Sequence, residues 1–170
     1  MFGLFNNKNY KTSVTPEDKQ WIEDNLIWFI EVFGIEKLKQ QPFILPSVDN
    51  FPYTNLKDDA QFQKLFEQMC QYLEVNPNAI TVKFFDDLTL KQWTTWTPQE
   101  KLKVLGLYSQ DNSENVGKLF TIELAKSSLE RPDILISTIA HELAHVKLLG
   151  GHYISVNDAD MEQMTDLATI

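Results

Sequence analysis

The amino-acid sequence predicts an α+β fold, in which N-terminal helices and a small, mainly antiparallel sheet pack on a long helix near the C-terminus. Two early segments repeat their apolar residues with the period of a helix. Three later segments are rich in β-branched and aromatic residues, or alternate apolar with polar residues as strands do. A strongly apolar helical segment follows them. This order of elements is typical of α+β proteins and differs from the regular alternation of α/β proteins.

Two helices are predicted in the first half of the chain. Residues 15–18 (Thr-Pro-Glu-Asp) favour a helix start, because they combine a capping hydroxyl, a proline in the first turn and acidic residues at the positive end of the helix dipole. Gly34 ends this helix. The proline-containing segment 41–56 is predicted to be an extended connector with short β pieces. A second helix is predicted over about 57–74, and residues 1–14 are expected to be loosely ordered.

Strands and C-terminal helices complete the predicted fold. The strands comprise residues 80–85, 104–109 and 118–124. A long helix is predicted from about Arg131 to Leu149, closed by two glycines, and a final helix from Asn157 or Asp158 into the C-terminus. Because this last pattern runs to Ile170 without a cap, we expect either a longer native chain or a protein of minimal length.

Composition and charge describe an ordinary globular protein and argue against several classes. The chain has 170 residues, of which 43% are hydrophobic and 23% charged, so we expect one domain over residues 1–170. Its net charge of −9 argues against nucleic acids and anionic membrane surfaces as partners. No segment is long and apolar enough to span a membrane. The lone Cys70 excludes an internal disulfide, and we therefore expect a cytoplasmic protein.

The segment His141-Glu142-Leu143-Ala144-His145 carries the candidate chemistry. Positions four apart on a helix are rotated by about 400°, so both imidazoles project in nearly the same direction, one turn apart. Two nitrogens so placed suit a tetrahedral zinc ion, and Glu142 lies close enough to take a proton from water at the metal. A chance match on an apolar helix is the alternative. It is disfavoured because unpaired ionisable groups are expensive to bury, and a metal ion removes that difficulty.

A zinc site needs a third protein ligand, with a fourth position left for water if the site is catalytic. His152 is one residue out of register with the third histidine of the metzincin pattern, and we reject it as a ligand. A carboxylate on the final helix is the other option. Glu162 and Asp166 stand four apart and share a helix face, whereas Asp158 and Asp160 are rivals whose spacing suits the role less well.

Residues 131–167 resemble the gluzincins, the thermolysin-like metallopeptidases, in both motif and spacing. This resemblance implies a zincin-like fold in which Glu162, on a second helix, is the third zinc ligand. It further implies that Asp166 binds the ring of His141 and fixes its orientation. The linker between the two helices is slightly shorter than is usual in the gluzincins.

The whole chain is similar to a family of bacterial proteins of uncharacterised activity that carry a zinc-metallopeptidase signature. The matching stretches are residues 14–18, 43–46, 139–146 and 165–167. Where that family is expected to have a histidine before the ligand glutamate, this sequence has Met161. The similarity supports zinc and the fold, and it implies no particular substrate.

The predicted function is that of a zinc-dependent metallopeptidase acting on a peptide or protein substrate. His141, His145 and Glu162 hold one zinc ion, and Glu142 is the general base that activates water at the metal. The alternative is a zinc-binding interaction or regulatory module that keeps the fold without a working cleft. The presence of Glu142 favours the enzyme, because a structural zinc site has no need of a general base.

Several aromatic residues and the cysteine have two interpretations each. Trp93, Trp96 and Tyr108 could line a cleft, but aromatic residues in a small protein are more often part of the core. Tyr153, just after the zinc helix, is a candidate for stabilising an oxyanion. Cys70 lies in a helical pattern without a glycine-rich motif, so we assign it to the core and not to the metal site of a deformylase.

Overall fold

The computed structural model describes residues 14–86, 105–110 and 119–169. The chain divides into two compact units, Met1–Pro42 and Phe43–Ile170. Most of the segment predicted to be loosely ordered, residues 1–13, lies outside the described residues. None of the described helices has the length and apolar character needed to cross a membrane. The single domain over residues 1–170 stays a prediction.

The first unit contains α1 (Pro16–Phe33) and α2 (Ile35–Gln40). The Thr15 hydroxyl accepts a hydrogen bond from the Asp18 N–H at 3.1 Å, and the Asp18 carboxylate accepts from the Thr15 N–H at 3.4 Å. This reciprocal cap confirms the predicted start of α1. Gly34, at φ +87°, ends α1 as predicted, because glycine adopts positive φ without steric strain. The short α2 follows this glycine directly and was not predicted.

The second unit begins with an irregular connector that leads to α3 (Asp59–Leu73). The short β pieces predicted within 41–56 are wrong, because this segment forms bends and turns. Its prolines lack the N–H that pairing with a neighbouring strand requires. The predicted second helix is confirmed by α3, which the Asp58 carboxylate caps by accepting the Gln61 N–H at 2.9 Å.

Three strands form one mixed sheet in the order β1-β3-β2, comprising β1 (Ile80–Phe85), β2 (Gly106–Gln110) and β3 (Phe120–Ala125). The predicted strands are confirmed, although β2 and β3 start slightly later than predicted. β3 pairs antiparallel with β2 but parallel with β1, so the prediction of a mainly antiparallel sheet is wrong. The chain between β1 and β3 is long enough for a parallel crossover, which needs about a dozen residues or more. Within the described residues, β2 is an edge strand of this sheet.

The core of the second unit is built from the sheet, α3 and α4 (Pro132–Leu148). Leu135, Ile139 and Leu143 recur at helical spacing on α4 and are fully buried, which confirms the predicted long apolar helix. The same cluster includes Leu65, Phe66, Met69 and Cys70 of α3 and Ile122 and Leu124 of β3. The core therefore holds α4 along most of its length.

The final helix, α5 (Met161–Leu167), packs on α4. Its predicted start at Asn157 or Asp158 is wrong. The Asp158 carboxylate accepts the Ser155 N–H at 2.8 Å and so stabilises a turn that precedes α5. At the coarse level the predicted class is confirmed, since the described residues form five helices and a three-stranded mixed sheet. The zincin-like fold stays a prediction.

Replacing Leu135 with alanine should lower the free energy of unfolding by about 2–5 kcal/mol, because this leucine is fully buried and its truncation leaves a cavity. Leu119→Ala is the matched control. This leucine is 53% exposed, so its loss should change the free energy by no more than about 0.5 kcal/mol. Urea unfolding followed by circular dichroism measures both, and equal losses would contradict the described core.

Candidate metal centre

The predicted motif lies on α4, along the part of the helix that contacts β2 and α5. Glu142 and His145 are buried, with 4% and 5% of their surface exposed. The side chain of His141 is 28% exposed. Since apolar residues of the same helix anchor it in the core, the three polar side chains are fixed on a rigid support at the edge of that core.

Three ligand atoms converge between α4 and α5. The Nε2 atoms of His141 and His145 are 3.1 Å apart. Oε2 of Glu162 lies 3.2 Å from the first and 3.4 Å from the second. A tetrahedral zinc ion at 2.0–2.1 Å from its ligands would separate them by roughly 3.3–3.4 Å. The three distances therefore fit three corners of a zinc coordination tetrahedron.

Hydrogen bonds on the far side of each imidazole assign the tautomer of both rings. His141 Nδ1 lies 2.8 Å from Oδ1 of Asp166, and a carboxylate only accepts, so this nitrogen carries the hydrogen. The Thr165 hydroxyl donates to the Met161 carbonyl at 2.9 Å and therefore accepts from His145 Nδ1 at 3.2 Å. With Nδ1 engaged in this way, the Nε2 atom of each ring is the one directed at the point where the three ligand atoms meet.

This arrangement places three acceptor atoms together, and a cation is the group that fits between them. Two imidazole lone pairs and a carboxylate oxygen repel one another unless a proton or a metal ion lies among them. Burial lowers the pKa of His145, while the Glu162 carboxylate opposes that shift, so burial favours the neutral ring over a protonated one. The donor set of His141, His145 and Glu162 consequently suits a metal ion.

Glu142 lies close to the three ligand atoms but is not one of the candidate ligands. Its carboxylate makes no hydrogen bond within the described part of the chain. Burial raises the pKa of Glu142 to about 7, with His141 opposing the shift and Glu162 adding to it. The carboxylate packs against the backbone of β2 at Gly106, where an added Cβ atom would lie 2.9 Å from Glu142 Cδ. Glu142 is thus a buried carboxylate clamped between α4 and β2.

Tyr108 forms the neighbouring part of the wall on β2. Its ring stacks on the ring of His145, with centroids 5.6 Å apart, and on Phe120 at 6.0 Å. Its hydroxyl is buried and has no hydrogen-bond partner among the described residues, and burial raises the pKa of this phenol. Both interpretations made from the sequence therefore apply to Tyr108, because it packs against the core and also contacts a candidate ligand. Trp93 and Trp96 lie outside the described residues.

The other predicted residues lie away from the triangle of ligand atoms. His152 is exposed at φ 58° in the turn after α4, in agreement with its rejection as a ligand. Asp158 caps a turn and Asp160 precedes α5, so neither belongs to the ligand group of the described residues. Tyr153 is 46% exposed, with its ring close to the backbone that follows α4. Cys70 is fully buried in the core, as predicted, and burial raises the pKa of its thiol to about 12.

Two residues of the site were missed by sequence reasoning. Thr165 had no assigned role, although a hydroxyl next to Asp166 on a short helix is placed to reach the other histidine. Gly106 fell inside a predicted strand, where an isolated glycine signals close approach of another group to the backbone. That signal is present in the amino-acid sequence and could have identified Gly106.

The chain matches no protein-family model, no curated protein and no solved structure. The resemblance to the gluzincins and the similarity to the bacterial family therefore stay predictions. The function is accordingly inferred from the geometry and chemistry of the described residues.

Tyr108→Phe should leave the free energy of unfolding unchanged or raise it by about 1–3 kcal/mol, because the substitution removes a buried hydroxyl that has no partner among the described residues. Tyr53→Phe is the matched control. The Tyr53 hydroxyl donates to Gln68 at 2.9 Å, so its removal should cost about 0.5–1.5 kcal/mol. Urea unfolding of the metal-free proteins gives both values. A larger loss at Tyr108 than at Tyr53 would show that the Tyr108 hydroxyl has a partner in the native protein.

Proposed function

We propose that the protein is a zinc-dependent metallopeptidase that hydrolyses peptide bonds in a peptide or protein substrate. One observation carries this proposal. The ligand atoms of His141, His145 and Glu162 are separated by the distances expected between ligands of one zinc ion, and the buried carboxylate of Glu142 lies close to them. When bound, zinc supplies a Lewis acid that activates water at neutral pH and polarises a carbonyl.

The donor set favours zinc over calcium and magnesium. Two imidazoles and one carboxylate are a ligand set that catalytic zinc sites use, whereas calcium and magnesium prefer oxygen ligands alone. Only three potential ligands converge among the described residues. A fourth tetrahedral position is then left for water or substrate, while a closed structural site would require a fourth protein ligand. For the described part of the chain, this count supports the enzyme over the structural module.

α5 orients the site through hydrogen bonds as well as through its ligand. Asp166 holds the hydrogen on Nδ1 of His141, and Thr165 does the same for His145. Each bond fixes the ring plane and directs the opposite Nε2 towards the point where the ion would bind. The Asp166 carboxylate thereby keeps Nε2, and not Nδ1, as the atom of His141 that would bind a metal.

Glu142 is placed to act as the general base. Its carboxylate makes no hydrogen bond within the described part of the chain, so its oxygens are available to accept a proton from water. The deprotonated water oxygen forms a bond to the carbonyl carbon of the substrate. Glu142 then delivers the same proton to the leaving nitrogen as the carbon–nitrogen bond breaks. A buried carboxylate without a partner destabilises the fold, which is typical of a functional residue.

The purified protein should bind about one zinc ion per chain through the three proposed ligands. His145→Ala and Glu162→Ala should each remove most of this binding, because each deletes a corner of the coordination triangle. Asp166→Ala and Thr165→Val should weaken it by roughly 10–100-fold, since they leave a ring unsupported. Elemental analysis gives the stoichiometry, and competition with a chromogenic chelator gives the affinity.

His152→Ala and Asp160→Ala are the matched controls for the ligand series, and both should leave zinc affinity unchanged. Each replaces a histidine or an acidic residue outside the ligand triangle. Thr165→Ser, which keeps the hydroxyl, should retain the wild-type affinity. A protein that takes up no zinc on reconstitution would refute the proposed centre. A larger loss in Asp160→Ala than in Glu162→Ala would show that the wrong carboxylate has been assigned.

Glu142→Gln should leave zinc content and thermal stability nearly unchanged while lowering peptide cleavage by about 10²–10⁴-fold, the usual contribution of a general acid–base group. The amide keeps the shape of the side chain but does not accept the proton from water. Cleavage of a library of unfolded peptides, resolved by mass spectrometry, measures the effect, and zinc chelation of the wild type should abolish the same cleavage.

Two results would count against this mechanism. If zinc-loaded wild-type protein cleaves nothing in a broad library, the peptidase proposal fails in favour of the binding or regulatory module. If Glu142→Gln cleaves as fast as the wild type, the proton acceptor is a different group.

A further inference from the structure

We propose that Gly106 is a positioning residue for Glu142: the space left by its missing side chain is the space that the Glu142 carboxylate occupies. The proposal deepens the function proposed above, because it identifies what holds the general base in place. It concerns a strand residue that neither binds the metal nor touches the reacting atoms.

The register of the sheet places Gly106 opposite Leu124, which is fully buried, so this position of β2 faces the core. A Cβ atom added at Gly106 would lie 2.7 Å from Thr138 Cγ2 and 2.9 Å from Glu142 Cδ, and closer still to Glu142 Oε1. Real Cβ atoms essentially never approach other atoms more closely than 3.0 Å. Any residue other than glycine would therefore collide with the carboxylate.

The backbone conformation of Gly106 does not explain why glycine stands here. Gly34 is the glycine with positive φ among the described residues, and Gly106 lies outside that region. Glycine inside a strand weakens it, since glycine loses more conformational freedom on folding and has no side chain to pack. Close approach of Glu142 and Thr138 is the remaining reason for glycine at this position.

Of the two side chains that touch Gly106, Glu142 is the one free to move. Thr138 is β-branched, and its hydroxyl donates to the Ile134 carbonyl at 2.9 Å, so its rotamer is fixed. The Glu142 side chain has three rotatable bonds and no hydrogen bond within the described part of the chain. A methyl group at position 106 should therefore displace the carboxylate, whereas its contact with Thr138 Cγ2 should destabilise the fold whether or not Glu142 is present.

The expected consequence of Gly106→Ala is a selective loss of the chemical step. A displacement of about 1 Å from the productive position costs about 10²-fold in rate, so kcat should fall by about that factor. KM and zinc affinity should stay at their wild-type values, because none of the three proposed ligands is among the side-chain atoms nearest to position 106. Ser109→Ala is the control on the same strand, since Ser109 lies on the opposite face of the sheet from Gly106.

Two double-mutant cycles test whether Gly106 acts through Glu142. In the Glu142→Gln background, Gly106→Ala should cause no further fall in kcat, because the general base is already lost. In the Glu142→Ala background, with zinc removed, Gly106→Ala should lower the melting temperature less than it does in the wild-type background. This second cycle needs no catalytic activity. The Glu142→Ala substitution removes the carboxylate with which the methyl group of the single variant collides.

Additive effects in the stability cycle would overturn the proposal, since they would show that Gly106 and Glu142 do not interact. A parallel loss of zinc affinity and kcat in Gly106→Ala would also overturn it, because the substitution would then act on the metal ligands. Should the zinc-loaded wild type cleave no peptide, the peptidase proposal fails by itself. The stability cycle still decides whether Gly106 positions the carboxylate.

Discussion

The convergence of two imidazole nitrogens and a carboxylate oxygen on one point is the constraint on which the rest of the site depends. His141, His145 and Glu162 bring their lone pairs within 3.1–3.4 Å of one another. Their mutual repulsion opposes the packing of α5 on α4 unless a positive charge lies between them. A divalent cation both removes the repulsion and joins the two helices. In the proposed holoprotein, metal affinity and the docking of α5 are therefore one equilibrium.

α5 is well suited to such coupling because it is too short to be stable alone. Isolated helices of its length are marginal, so its stability comes from its contacts with α4. Met164 and Thr165 are buried in that contact, while the side chains of Glu162 and Asp166 are 61% and 73% exposed. One face of the helix thus packs on α4, and the adjacent face carries the proposed ligand Glu162 and the residue that binds His141, Asp166. The burial of Thr165 links the two, since its hydroxyl orients His145 from within the packed face.

The sequence predicted the residues whose spacing on one helix is sufficient to bring them together. His141 and His145 share a helical face, as Glu162 and Asp166 do, and the structure brings both pairs to one place. Contacts that depend on how separate helices and strands pack together were harder to predict from the sequence. Neither the parallel pairing of β1 with β3 nor the partner of Thr165 follows from local periodicity. The start of α5 was missed because Asp158 stabilises a turn and not a helix, and short polar side chains serve both purposes.

The edge strand β2 places the smallest residue and a large aromatic ring two positions apart on the same face, and each contacts a different group of α4. At Gly106 the strand approaches so closely that the Glu142 carboxylate lies against its backbone. At Tyr108 the ring fills the space over His145 and covers one side of that imidazole. Strand side chains alternate between faces, so residues 106 and 108 necessarily act on the same side. The proposed general base and a proposed metal ligand are consequently both contacted by one strand packed on one helix, and their separation depends on the geometry of that pair.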